Sequence, residues 1–96
     1  MMSKEEILKK LTQCKKQLQV RYKIKTIGLF GSFARGEQNT RSDVDVLVEV
    51  DPSIGLGFVT LANDIEKIMG TPTDVVSLMG IKPRYRKIVE SEVIYV

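Results

Sequence analysis

Two aspartates, Asp43 and Asp45, sit one residue apart at the head of the apolar run "SDVDVLVEV", and the small pair Gly31-Ser32 lies ten residues upstream, just after a shorter apolar run. A carboxylate in an apolar strand is costly unless something compensates its charge. Strand side chains alternate, so Asp43 and Asp45 share one face. At ~4 Å and an effective dielectric near 20, the two repel by a few kcal/mol, which makes the pair a strong ligand for a divalent cation. Asp74, in "PTDVVSL", adds a third carboxylate if its strand runs beside the first. Three acidic oxygens converging on one sheet edge suit Mg2+, which keeps waters or substrate phosphates in its remaining positions. A small backbone at Gly31-Ser32, where a strand meets a short helix, leaves N–H groups and a hydroxyl to hold phosphate. The chemistry these residues point to is metal-assisted nucleotidyl transfer.

Other phosphate and metal motifs do not fit. Gly31 to Gly36 fills the first six places of a P-loop, but Glu37 and Gln38 stand where Lys and Ser/Thr are needed. "DVDVLVEVD" opens like a calcium loop, yet Leu47 takes its fifth, oxygen-donating place and Val48 replaces the glycine at its sixth. "GLGFVT" matches only two places of the dinucleotide fingerprint. With no histidine and one cysteine, Cys14, the chain has no imidazole base, no zinc set of the usual kind and no internal disulfide.

The elements that must position these residues are legible in the pattern. Ninety-six residues suffice for one small domain, expected to span 1–96. Ser3 and Glu6 form a capping-box signature, and Ile7, Leu8, Leu11, Cys14 and Leu18 follow a helical stripe, which predicts a helix from Lys4 to about Arg21. Its lysines Lys9, Lys10, Lys15 and Lys16 read as a solvated outer face. Strands are predicted at Lys25 to Phe30, Val44 to Val50 and Thr73 to Leu78, with a short last strand at Val93 to Val96. Helices are predicted at Leu56 to Met69, stopped by Gly70 and Pro72, and from Pro83 to about Glu90. This order describes an α/β (α+β) domain, a small mixed sheet flanked by helices. The net charge of +3 is spread along the chain, so no nucleic-acid or membrane binding is expected, and with no apolar run of ~18 residues a cytoplasmic location is.

"GSFARG", then "SDVDVLV", then "TDVV" resembles the minimal nucleotidyltransferase domain of the DNA polymerase β-like superfamily, and in particular MntA-type antitoxins, whose partner is a HEPN-domain RNase toxin of the HepT type. The likeness extends over nearly the whole chain. It implies the nucleotidyltransferase fold, two Mg2+ ions on the aspartates and ATP as donor. It further implies transfer of AMP to a tyrosine hydroxyl of the toxin, which silences the RNase in the manner of a type VII-like antitoxin, within a hetero-oligomer. Carried onto this sequence, Gly31 and Ser32 would bind the β- and γ-phosphates, and Asp43 and Asp45 would hold both ions. Asp74 would complete the metal site nearer the acceptor and help deprotonate its hydroxyl. Ser32 is expected also to cap the short helix. Arg35 either touches phosphate or pairs with an acidic neighbour. Two alternatives stand beside this reading: an idle antitoxin of the same fold that neutralises by binding alone, and a nucleotidyltransferase for a small molecule such as an aminoglycoside. Since little chain follows the third strand, a partner is expected to supply much of the acceptor site. The candidate docking surfaces are "PSIGLGF" and the basic run Lys82, Arg84, Arg86, Lys87.

Overall fold

The structure is a computed structural model that describes residues 2–96. It opens with helix α1 (Lys4–Tyr22), which begins on the expected capping box. The Glu6 amide donates to Ser3 Oγ at 3.1 Å and the Ser3 amide donates to Glu6 Oε1 at 3.4 Å. Ser3→Ala is expected to cost about 1 kcal/mol, read as a thermal midpoint lower by roughly 4–8 °C in a domain of this size. The helix stops at Lys23, whose left-handed backbone (φ 57°) turns its N–H back to the Gln19 carbonyl.

Four strands follow the predicted order: β1 (Thr26–Phe30), β2 (Val44–Glu49), β3 (Thr73–Ser77) and β4 (Ile94–Tyr95). They form one sheet in the order β3-β2-β1-β4. β1 pairs antiparallel with β2 and with β4, whereas β2 and β3 are parallel. A parallel pair needs a crossover, and helix α3 (Gly57–Met69) supplies it, ending at Gly70 with φ 71°. Between β1 and β2 lies the short helix α2 (Gly31–Arg35), and α4 (Pro83–Glu92) precedes the last strand.

The stripe of α1 (Ile7, Leu11, Cys14, Leu18) and that of α3 (Leu61, Ile65, Met69) are buried against one face of the sheet, where they meet Ile27 and Leu29 of β1 and Val44, Val46 and Val48 of β2. Period-two alternation then sends Asp45, Leu47 and Glu49 to the opposite face. Leu47 is buried there, outside the main core cluster. The sheet therefore has a helix-covered side and a side that carries the carboxylates.

The ends of most elements differ from the expectation by one or two residues, and the surface of α1 differs as well. Pro52–Ile54 and Leu78–Gly80 are single 3-10 turns, so α3 starts one residue later and β3 stops one residue earlier than predicted. Not all the α1 lysines are solvated: Lys10 Nζ donates to the Ile68 and Met69 carbonyls at 3.4 and 3.1 Å, and Lys15 Nζ donates to the Val96 carbonyl at 2.7 Å. Lys10 thus places a cation on the C-terminus of α3, where the helix carbonyls favour it.

Candidate functional site

Parallel pairing sets Asp45 of β2 directly beside Asp74 of β3, and antiparallel pairing sets the same Asp45 opposite Phe30 of β1. Registered neighbours in a sheet share a face, so the carboxylates of Asp45 and Asp74 rise from the same side. Asp43 lies one residue before β2, where the Val44 amide already donates to the Pro72 carbonyl at 3.1 Å. Asp45 is half-buried, while Asp43 and Asp74 are exposed. The two strands do run side by side, and their register brings Asp45 and Asp74 together while Asp43 stays just outside β2.

Burial pushes the Asp45 carboxyl above the usual carboxylate range, and the negative charges of Asp74 and then Asp43 push it further, with Arg35 acting in the opposite sense. A cation among these groups would relieve both the desolvation and the repulsion. All the donors are carboxylate oxygens, the set that Mg2+ favours over softer ligands, so the residues fit the ion. They do not form a closed cage: among the described residues no three acidic, His or Cys side chains are gathered closely enough to hold a metal on their own. The convergence expected from sequence is thus limited to a shared edge of two strands.

The second half of the site is pressed against the first. Phe30 ends β1 opposite Asp45, and Gly31, the next residue, turns the chain into α2 with φ +76°. A Cβ added at Gly31 would lie well inside van der Waals distance of Asp45 Oδ2 and 3.0 Å from Asp45 Cγ. Only glycine lets the backbone come this close to the carboxylate. Ser32 does not cap the helix as expected. The helix begins at Gly31, Phe30 holds the cap position without a side-chain bond, and Ser32 stands two places past the cap, inside the helix. Its hydroxyl makes no intramolecular hydrogen bond among those of the described residues. Arg35, the last residue of α2, pairs with acidic neighbours: Nε donates to Glu37 at 3.2 Å and Nη1 donates to Glu92 at 3.1 Å. Of the two roles the sequence left open for Arg35, the acidic pairing is the one its contacts show. Glu92 lies 57 residues away in the chain, and no local signal could have found it.

In the two stretches picked as docking surfaces, Leu56 is 88% exposed and Val59, just beyond "PSIGLGF", is 58% exposed. In the basic run, Arg86 is turned inward, donating to the Ile81 and Met79 carbonyls, which leaves Lys82, Arg84 and Lys87 exposed. A surface concavity of about 350 Å³ lined by Lys10, Gln13, Cys14, Gln17 and Ile68 belongs to the helical side and includes none of the three aspartates. Among the described residues no helix is long and apolar enough to cross a membrane.

Comparison with known proteins gives one consistent result. Residues 11–96 match the model of the nucleotidyltransferase domain family. Protein adenylyltransferase MntA of Thermococcus cleftensis is 41% identical over 98 residues, an alignment spanning 100% of this chain and 98% of the relative. A provisionally named protein adenylyltransferase of Methanocaldococcus jannaschii is 42% identical over 96 residues, covering 95% of each chain. Among solved structures, a provisionally named minimal nucleotidyltransferase superposes with a TM-score of 0.79 at 33% identity, covering 97% of this chain and 95% of that one. A toxin–antitoxin crystallised with AMP-PNP shares the fold, with a TM-score of 0.68 at 23% identity over 98% of this chain and 72% of its own.

Proposed function

Since the chain belongs to the nucleotidyltransferase domain family, we propose that it transfers AMP from ATP to a tyrosine hydroxyl on a partner HEPN-domain RNase toxin, and so acts as an antitoxin. The observation that carries the reading is the contact of two half-sites. The glycine turn that would receive phosphate lies against Asp45, which in turn stands in register with Asp74. Identity of 41% to a protein adenylyltransferase along the full chain supports AMP as the transferred group.

Asp43, Asp45 and Asp74 would hold two Mg2+ ions, which when bound supply charge neutralisation at the phosphates and lower the pKa of the attacking hydroxyl. The residues of the chain do the rest. Gly31 lets the turn into α2 lie directly against Asp45, so that the Ser32 hydroxyl and the first amides of α2 can donate to β- and γ-phosphate oxygens next to the carboxylates. Asp74, exposed on the edge strand β3, would take the proton of the acceptor hydroxyl. The acceptor oxygen then forms a bond to the α-phosphorus, the bond from that phosphorus to the bridging oxygen breaks, and pyrophosphate leaves. With β3 at the edge of the sheet, a partner bringing the acceptor hydroxyl there would complete the site, and transfer would depend on the complex. The expected result is pyrophosphate release from ATP only when the toxin and Mg2+ are both present, with loss on addition of EDTA. Release that needs neither would sink the reading.

A further inference from the structure

We propose that Glu92 is a positioning residue for the phosphate-binding turn: through Arg35 it braces the short helix α2 against the end of α4. The effect on ATP rests on the reading above, whereas the brace itself rests on geometry. Helix α2 has only five residues, too few to be stable by its own hydrogen bonds. It is held inward by Phe33 and Ala34, both buried, and its outer end is tied down by Arg35. One guanidinium serves two carboxylates there, Glu37 from the following turn and Glu92 from the last position of α4.

Helix α4 has no fully buried residue, but it leads directly into β4, which is paired with β1, so its finish is fixed to the sheet and offers α2 a firm anchor. Near its start, Arg86 Nε and Nη2 donate to the Ile81 and Met79 carbonyls at 3.0 and 3.3 Å. At its finish, Glu92 accepts from Arg35. Side-chain exposures of 42% for Arg35 and 31% for Glu92 mark a pair that contributes little to global stability. What such a pair can do is fix a position. The other end of α2 is Gly31, about one helical turn away and seated on Asp45, so a shift of α2 moves the phosphate amides relative to the carboxylates.

The test is amide hydrogen exchange at Gly36 and Glu37, whose N–H groups donate to the Phe33 and Ser32 carbonyls and so report on the end of α2. In the protein without nucleotide, Arg35→Met and Glu92→Ala are each expected to raise exchange there about three- to tenfold, and the double variant no further than the worse single one. In the transfer assay the same variants are expected to raise the KM for Mg·ATP about three- to tenfold while kcat stays within about twofold, and Glu92→Asp to restore most of the loss. Unchanged exchange in both single variants overturns the brace. So does damage by Arg35→Met alone, which would make Arg35 a direct phosphate contact, or independent effects that multiply in the double variant. If the native chain transfers no AMP at all, the functional reading falls, and exchange at α2 still decides the brace.

Discussion

Asp45→Asn is expected to abolish AMP transfer, by roughly a thousandfold or more, while leaving the fold at least as stable as the native chain when no divalent ion is present. The loss of activity follows from position. Asp45 is the carboxylate at the centre of the site: it stands in register with Asp74 on β3, lies against Gly31 at the turn into α2, and follows Asp43 by two residues. The stability effect follows from its charge. Burial and two like-charged neighbours raise the Asp45 carboxyl in the folded state, so ionisation is easier in the unfolded chain. The resulting destabilisation is absent below the unfolded carboxylate range and grows as pH rises through the folded value. Asparagine removes it, so the variant should gain on the native chain at neutral pH and not at pH 3, with EDTA present throughout. Denaturant midpoints at the two pH values test this; an equal difference at both would assign the change to packing rather than to charge.

Gly31→Val is expected to be the most damaging single change at the turn. A β-branched residue at φ +76° is an outlier that costs about 1–2 kcal/mol or more, and its Cβ would collide with the Asp45 carboxylate. Relieving that collision means turning Asp45 away or lifting α2 off the sheet, and either one separates the two half-sites. Transfer should therefore fall nearly as far as in Asp45→Asn, with a folding loss of about 2 kcal/mol or more. Ser32→Ala removes one hydroxyl donor and no geometry, so nucleotide affinity should drop about tenfold at most. Titration of a non-hydrolysable ATP analogue with Mg2+ against both variants separates the two effects. Equal and negligible losses would mean that the phosphates bind elsewhere on the molecule.

Much of this was legible in the residues because strand alternation is a strong signal. "VDVLVEV" puts valines on one face and acids on the other whatever the partner strands, and "TDVV" announces a second strand with its acid at the matching end. The register of Asp45 with Asp74 then follows from the parallel pairing that α3 allows. What could not be read was any contact across the chain. The seat of Gly31 on Asp45 depends on the angle at which β1 enters α2, and the bond from Arg35 to Glu92 on where α4 comes to rest. The capping role given to Ser32 failed for a local reason: Gly31, with its positive φ, could already begin the helix. Lys10 and Lys15 looked solvated because a carbonyl at the end of α3 or at the end of the chain leaves no mark in the helical pattern.

The central claim is that this chain modifies its partner covalently. It is tested most directly by the intact mass of the proposed partner, a HEPN-domain toxin, after incubation with Mg·ATP and either the native chain or Asp45→Asn, with association of the two proteins measured in parallel. The expected result is a gain of one or more adenylyl groups on the toxin with the native chain only, while the variant still binds, since Asp45 is half-buried against the Gly31 turn and lies outside both candidate docking stretches. Full neutralisation of the toxin with no mass gain from either protein would contradict it and leave binding alone as the mechanism.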